Sequence, residues 1–594
     1  MQKKTVIFWG ASLFFLAVLF VGGIYTPQDI RLDTGDSPGA NHSYAPKVCS
    51  ACDHVYVAWF DTRSSYDEIR FNFSHDGGLT WKTPDILINN GGRSAKFPEI
   101  CCLGNTVYAT WYQNRNSTWG VYFNYSNDGG VTWQESDIRI DTGGDIAGVS
   151  FSAWEGPRIC CSGDSVYIAW YDERDGETDI RLNYSTDGGA NWQASDIRID
   201  VGDAAGAHRS SYPGICCSGS NVYVSWSDLR NGKWDIYFNC STDGGLNWLS
   251  SPVRLNTGIT PGYTHCWAPK VCCSGSNVYV VWYDGRSGSD DIFLNYSHDY
   301  GTTWQTPDLR LDVGDLPGAG DSHHPQIICD GNKIVVVWYD ERDGEADIYS
   351  NRSTNGGSVW ELTDTRLDSG DMAGEHRSEN PRICREGGKL AVAWEEYRNG
   401  YADVFICLSK NWGSSWISSP IRLDSGSSAS RDPFVCSSGG KLFASWRDER
   451  SGSADIYFNS LPAQPDMNVK NGMHGDFADG SFTDIGTVPL SWIIGREIPF
   501  IVENAGNGPL NLTGSPDRVT LSGTGASYFI VSRQPSRSTL MPGETTVFKI
   551  RTKILSMPPV PPGWEKTAVF SIDIANNDMD ENPYDFTIKL TVKN

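Results

Sequence analysis

The sequence predicts an all-β protein: an eight-bladed β-propeller followed by a C-terminal immunoglobulin-like β-sandwich. Three observations predict it. A unit of about 56 residues recurs from roughly Asp29 to Ser460, which is the period of a propeller blade. Each unit holds four strand-like runs, here called a to d. The composition is aromatic and turn-rich, with 63 Gly and 23 Trp, and no long helical periodicity follows the first 25 residues.

The chain opens with MQKKTVIFWGASLFFLAVLFVGGIYT. Lys3 and Lys4 precede an apolar run from Thr5 to about Tyr25, the pattern of an export signal, cleaved or kept as an anchor. Residues 1–26 are assigned to it. The first repeat-like strand, DIRLD, starts at Asp29, so an uncleaved anchor would press the folded domain against lipid. A secreted or cell-surface protein is expected, touching a membrane only through an uncleaved N-terminal segment. A net charge of -24 opposes nucleic-acid partners.

Residues 27–462 are assigned to the propeller. Each unit begins at a proline: Pro46, Pro98, Pro157, Pro213, Pro269, Pro325, Pro381 and Pro433. A run ending in Trp follows, such as NVYVSW to Trp226, and then an Asp-x-Arg loop. A third run such as DIYFN leads into the phrase Ser-x-Asp-x-Gly-x-x-Trp, and a short run such as DIRID closes the unit. Runs a, b and c occur eight times, but the phrase and run d only seven. The missing d strand lies at the other end of the chain, at Asp29–Asp33. The N-terminal strand is therefore expected to complete the last blade and leave no open sheet edge.

The phrase sits where a c–d hairpin is required. Its acidic position is Asp76, Asp128, Asp187, Asp243, Asp299, Asn355 and Asn411. Asp and Asn both accept hydrogen bonds from turn N–H groups, and glycine takes positive φ without steric cost. The substitutions keep turn chemistry and abandon charge, as a scaffold element does. The pairs Asp61/Arg63, Asp172/Arg174, Asp228/Arg230, Asp284/Arg286, Asp340/Arg342 and Asp448/Arg450 recur in register and read as structural ion pairs. A catalytic residue should be singular.

Seven copies of SxDxGxxW at regular spacing resemble the Asp-box, or BNR repeat, of sialidase-superfamily propellers. That resemblance implies that the Asp-boxes lie on the face opposite the active site. It also implies a chemistry: hydrolysis of terminal sialic acids by three arginines on the substrate carboxylate, a Tyr nucleophile activated by Glu, and an Asp acid/base. The family's Arg-Ile-Pro element is absent, with PKVC standing at Pro46, and no catalytic residue is carried over.

Cysteine fills the third position after the proline at Cys49, Cys101, Cys160, Cys216, Cys272, Cys384 and Cys436. It fills the next at Cys102, Cys161, Cys217, Cys273 and Cys329. Small buried thiols on the strand nearest the axis are expected, with disulfides the alternative; the spacing is not that of a zinc site.

The d–a loops collect His42, His208, His265, His323, His324 and His376, with Trp154, Glu155, Arg209, Tyr212, Tyr263, Trp267, Arg377 and Glu379. Function concentrates on loops held by a rigid scaffold. The ligand-binding candidates are His42, His208, His265, His323, His376, Trp154 and Trp267. The catalytic candidates are Arg209, Arg377, Tyr212, Glu155 and Glu379. No cofactor is expected; a metal held by several of the histidines is the variant of that reading.

Beyond Leu461 the tryptophan repeats stop. Residues 463–594 contain runs such as IPFIVEN, TVFKIRT, AVFSIDI and FTIKLTV between Gly, Pro and Asn turns, the pattern of an immunoglobulin-like sandwich. LMPGETTVFKI and IANNDMDENPYDFTI resemble the choice-of-anchor-D and HYDIN-like group, which implies a spacer or interaction role. The function expected is recognition of a glycan or surface protein by a monomer, through the face opposite the Asp-boxes. An exo-acting glycoside hydrolase of sialidase type is the alternative, and a structural envelope or adhesion module a second.

Overall fold

The computed structural model describes residues 29–142 and 156–461, and beyond them 467–471, 475–477, 481–489, 497–504, 510–513, 518–522, 529–541, 544–552, 565–574 and 584–593. The export segment, Trp154 and Glu155 lie outside the described residues. Among the described residues there is no helix, and so none long and apolar enough to cross a membrane.

Between residues 29 and 461 the described residues form eight four-stranded antiparallel sheets. The fourth is representative: Ser210–Ser218, Asn221–Asp228, Asp235–Ser241 and Val253–Arg254 pair in chain order. Its second strand, NVYVSWSD, is buried at every residue after the first. Burial at successive residues, whose side chains alternate between faces, marks a strand covered on both faces. The outer strand is only two residues long, which leaves little edge to pair with another chain. The first strands are Ser43–Ala51, Ala95–Leu103, Arg158–Ser162, Ser210–Ser218, Cys266–Ser274, Ser322–Asp330, Ser378–Glu386 and Ser430–Ser438. Each touches the next, and the eighth touches the first, which makes a closed ring of sheets, the propeller arrangement.

The N-terminal strand Ile30–Arg31 is the outer strand of the eighth sheet, with Ile30 opposite Phe458 and Arg31 opposite Tyr457. The Leu32 N–H donates to the Ile456 carbonyl at 2.8 Å. Its side chain is fully buried in a cluster with Val57, Trp59 and Phe458. The Arg450 guanidinium meets Asp29 at 2.6 Å.

One fully buried tryptophan anchors the second strand of each sheet: Trp59, Trp111, Trp170, Trp226, Trp282, Trp338, Trp394 and Trp446. A buried indole N–H needs an acceptor, and the acid two residues on supplies it. Trp226 Nε1 donates to Asp228 at 3.0 Å, and Arg230 then clamps the same carboxylate at 2.6 Å. The seventh sheet substitutes Glu396 with Arg398, and the second Gln113 with Arg115. The Asp-x-Arg loop is thus the cap of a buried tryptophan.

The repeated phrase joins one sheet to the one before it. In the third sheet Asn191 N–H donates to Asp187 at 2.8 Å, Gly189 N–H to Ser185 Oγ at 3.0 Å, and Trp192 Nε1 to the Gly189 carbonyl at 3.1 Å. Asn355 and Asn411 accept the equivalent bonds from Val359 and Ser415. The tryptophan ring then stacks edge-on against a phenylalanine of the preceding sheet: Trp133 on Phe71, Trp192 on Phe123 and Trp304 on Phe238. Trp81 of the first sheet lies on Phe458 of the eighth, at 4.6 Å between centroids, so the same contact crosses the closure.

Carboxylates are buried just past the outer strands and at the starts of the third strands. Burial pushes Asp312 up to about 8 and Asp141, Asp200 and Asp403 up to about 6. A group raised in the folded state stabilises the fold fully below its unfolded value, near ~4, and loses that contribution as pH rises through the folded value. Asp76, Asp243 and Asp299 act in the other direction, since hydrogen bonds from their own turns hold them at about 2 despite any burial. Their contribution is present above ~4 and lost as pH falls toward 2. The melting temperature is therefore expected to rise as pH is lowered from 8 to about 5, and to fall again below ~4. Calorimetry across that range checks it; a melting temperature constant or rising from pH 5 to 8 contradicts it.

Beyond residue 466 the described strands form a five-stranded sheet, a four-stranded sheet and a two-stranded ribbon. The expected runs are strands at Glu497–Asn504, Thr545–Thr552, Glu565–Ile574 and Tyr584–Lys593. The four-stranded sheet also contains Ser481–Pro489, parallel to Tyr584–Lys593, a strand with too many polar residues to read from the sequence.

Candidate functional site

The two faces of the ring are told apart by their hydrogen bonds. The phrase turns bond the a–b turns of their own sheets, as in Gly188 N–H to the Asp164 carbonyl at 2.8 Å. The b–c loops bond the d–a loops, as in Tyr397 N–H to the Arg377 carbonyl at 2.9 Å. The d–a and b–c loops therefore share the face away from the phrase turns.

Toward that face a proline stands in, or just before, every first strand, and at seven of the eight the residue before it is distorted. Ala45, Phe97, Tyr212, Ala268, His324, Asn380 and Asp432 have φ between 50° and 58°, and the pairing register slips beside each of them. A non-glycine residue in the left-handed region costs ~1–2 kcal/mol. Proline has no N–H to lose from the ladder, so a bulge is tolerated there. Bulges re-aim side chains, and strain of this kind collects at functional sites. All seven of these residues, and Gly156 at the eighth position, line one cavity of about 590 Å³ on the ring axis.

The cavity wall is chemically mixed. Phe97, Tyr212, Trp267, Tyr283 and Phe434 give aromatic surface; Lys47, Arg158, Lys270 and Arg382 give positive charge; Glu99 and Asp432 give negative charge. Glu99 is shared between Lys47 at 2.9 Å and Arg158 at 2.7 Å. Lys47 also lies over the Phe434 ring at 4.6 Å. Burial lowers the Lys47 pKa, and the Arg158 and Arg382 charges lower it further against the pull of Glu99. Four cations against two carboxylates make this wall positive inside a protein whose net charge is -24.

Next to the cavity the seventh sheet breaks the repeat. Where the other sheets place Phe60, Tyr112, Tyr171, Ser227, Tyr283, Tyr339 and Arg447, it places Glu395. Glu395 faces Glu379 across the ladder, and both are buried. The Tyr397 hydroxyl lies between them, at 3.0 Å from Glu379 and 3.3 Å from Glu395. Asn380 Nδ2 and the Asp432 N–H donate to the other Glu395 oxygen, at 3.1 and 3.0 Å. Burial, with the Asp432 and Glu379 carboxylates nearby, pushes Glu395 up to about 7. Burial and the same two glutamates also raise the Tyr397 pKa, which keeps it a phenol at neutral pH. His324 completes the chain, with Nδ1 at 3.0 Å from Asn380 Oδ1. Its ring is open to the cavity but enclosed by protein. That enclosure, with Arg382, His323 and Lys270 around it, pushes its pKa down to about 4, so it stays neutral. The arrangement can bind an anion on the axis and store a proton beside it.

Of the residues expected from the sequence, Tyr212 and Trp267 line the cavity, their rings edge to face at 6.2 Å. Glu379 belongs to the glutamate pair, and Arg377 bonds it from the exposed side. Arg209 is outside the lining, 3.7 Å from Glu177. His42, His208, His265, His323 and His376 do not converge. His42 Nδ1 accepts the Ala454 N–H, His265 Nδ1 the Trp234 N–H, and His208 and His376 each bond an aspartate of their own loop at 3.1 Å. Among the described residues two clusters bring three metal-competent atoms together, Asp290/Asp321/His323 and Asp371/Glu375/His376, and neither contains two histidines. Sequence reasoning missed Glu395, Tyr397 and, apart from Tyr212 and His324, the residues before the prolines. The signal was present, because these are the positions whose chemistry changes from unit to unit while their neighbours repeat.

No family model matches the chain, and no curated protein matches it. Among solved structures, the polysaccharide lyase Uly1 is similar at 13% identity and a TM-score of 0.42, over 65% of this chain and 94% of that one. The GH93 α-L-arabinofuranosidase of Fusarium graminearum is similar at 14% identity and 0.32, over 62% and 92%. A Trypanosoma rangeli sialidase mutant displaying trans-sialidase activity is similar at 14% and 0.31, over 52% and 56%. At these scores the likenesses assign no reaction to this chain.

Proposed function

We propose that the chain is an exported, eight-bladed Asp-box propeller of sialidase type with a C-terminal immunoglobulin-like spacer. It recognises an acidic glycan at the mouth of the axial cavity. The observation that carries this reading is the ring of seven left-handed residues turned into a cavity whose wall is aromatic and net positive. Aromatic rings offer flat apolar surface to sugar rings, and guanidinium and ammonium groups hold carboxylate or sulfate. A largely pre-formed cavity with few convergent polar groups is the usual form of a small-ligand site. Calorimetric titration with acidic and neutral oligosaccharides tests it. Binding by acidic members alone is expected; binding by neutral members of equal strength contradicts it.

A second reading, glycoside hydrolysis, is favoured by Glu395. A buried carboxyl raised to about 7 is poised to exchange a proton near neutral pH. Glu395 is 2% exposed, so it acts through Tyr397 as a positioning residue and proton store. On this reading Tyr397→Phe lowers turnover of a fluorogenic acidic glycoside by about 100-fold or more, and Glu395→Gln flattens the limb of the pH–rate profile near 7. Turnover unchanged in Tyr397→Phe removes the hydrolytic reading and leaves the binding one standing.

A further inference from the structure

On the side of the axis toward the phrase turns, the first strands carry ten cysteines in five facing pairs. One pair is already bonded: Cys272 of the fifth sheet with Cys329 of the sixth, Cα atoms 6.2 Å apart and 57 residues apart in sequence. This corrects the expectation of free packing thiols at those two positions. The bond joins the first cysteine of one sheet to the second cysteine of the next. The same rule generates Cys49–Cys102, Cys101–Cys161, Cys160–Cys217 and Cys216–Cys273. In each of these four pairs the two thiols are in side-chain contact.

The reason lies in strand geometry. Successive side chains on a strand point to opposite faces, so Cys101 and Cys102 cannot face each other. One face of each sheet meets the sheet before it and the other meets the sheet after it. Each Cys-Cys pair therefore reaches both neighbours. Where the rule would continue it pairs position 328 with position 385, and both change together: they are Ile328 and Arg385, and neither is cysteine. At the last two junctions a serine stands opposite the thiol, Ser437 with Cys384 and Ser50 with Cys436.

We propose that Cys49–Cys102, Cys101–Cys161, Cys160–Cys217 and Cys216–Cys273 are disulfides that, with Cys272–Cys329, tie sheets one to six into a covalent belt around the axis. Each bond forms by thiol–disulfide exchange with a disulfide oxidant such as oxidised glutathione. The two thiols lose two protons and two electrons, the S–S bond forms, and the oxidant is reduced to two thiols. The junctions between sheets six, seven, eight and one stay non-covalent, and the last of these is the seam closed by the N-terminal strand.

The test is made on the full-length protein, equilibrated in a glutathione redox buffer, alkylated under denaturing conditions, digested and read by mass spectrometry. Of its 16 cysteines, Cys52, Cys240, Cys266, Cys384, Cys407 and Cys436 are expected to be alkylated, and the other ten to appear as the five named linked peptides. Any of those ten found alkylated, or linked to another partner, overturns the belt. Cys160→Ser adds an internal check: Cys217 alone should become newly alkylated, with the other four links intact.

Discussion

Replacing Leu32 by alanine is expected to lower the unfolding free energy by about 2–5 kcal/mol, the range for a buried leucine. Leucine at this position is fully buried, and its strand has no local support: two residues pair with a segment more than 400 positions away. Loss of the contact does more than leave a void. It frees the outer edge of Asp455–Leu461 and breaks the contact between the first and eighth sheets, where no cysteine pair stands. Leu32→Asp should therefore leave the eighth sheet open, with cleavage by a protease in residues 425–461 before the rest of the ring is touched. Chemical denaturation and limited proteolysis read both effects. Leu316, which is 78% exposed, is the control, and Leu316→Ala should change stability by under ~0.5 kcal/mol. A Leu32→Ala variant no less stable than Leu316→Ala would contradict closure by this strand.

The second large effect is expected at the cavity wall. The double variant Lys270→Gln, Arg382→Gln should weaken binding of an acidic oligosaccharide by about 100-fold or more, since losing one partner of a desolvated charge pair costs ~2–5 kcal/mol. Arg209→Gln should leave affinity within about twofold, because this side chain is 43% exposed and outside the lining. Equal losses from Arg209→Gln and from the double variant would place the site on the outer loops instead.

The ring was legible in the sequence because its chemistry is local. The Ser-x-Asp-x-Gly-x-x-Trp turn, the buried tryptophan and its acid two residues on are each written within a few positions, and the pairing of Ile30 with Phe458 is the one that the strand count implies. What was not legible depends on which way a side chain is turned. The prolines were visible, but not that Tyr212 or Asn380 before them is thrown into the left-handed region and aimed at the axis. The loop histidines share a type of loop and not a repeat position, and one such loop per sheet means separation around the ring, so they do not converge. Glu395 could have been found. WEEYR in the seventh unit differs from WYDER in the third and sixth at three positions, and the first of them, Glu395, puts a buried carboxylate where no other unit has one. The cysteine columns were read correctly as repeat elements, but their partners depend on strand pleat, which places neighbours in sequence on opposite faces.

The measurement that bears most directly on the central claim compares an acidic oligosaccharide with the same oligosaccharide after its carboxyl groups are reduced to alcohols. The two have nearly the same shape and differ in charge. Titrated into the wild-type protein at low and at physiological salt, the acidic form should bind, lose affinity as salt rises, and lose it again in Lys270→Gln, Arg382→Gln, while the reduced form binds at least ~100-fold more weakly. Equal binding of the two forms, or acidic binding that the double variant leaves unchanged, would contradict a cationic axial site.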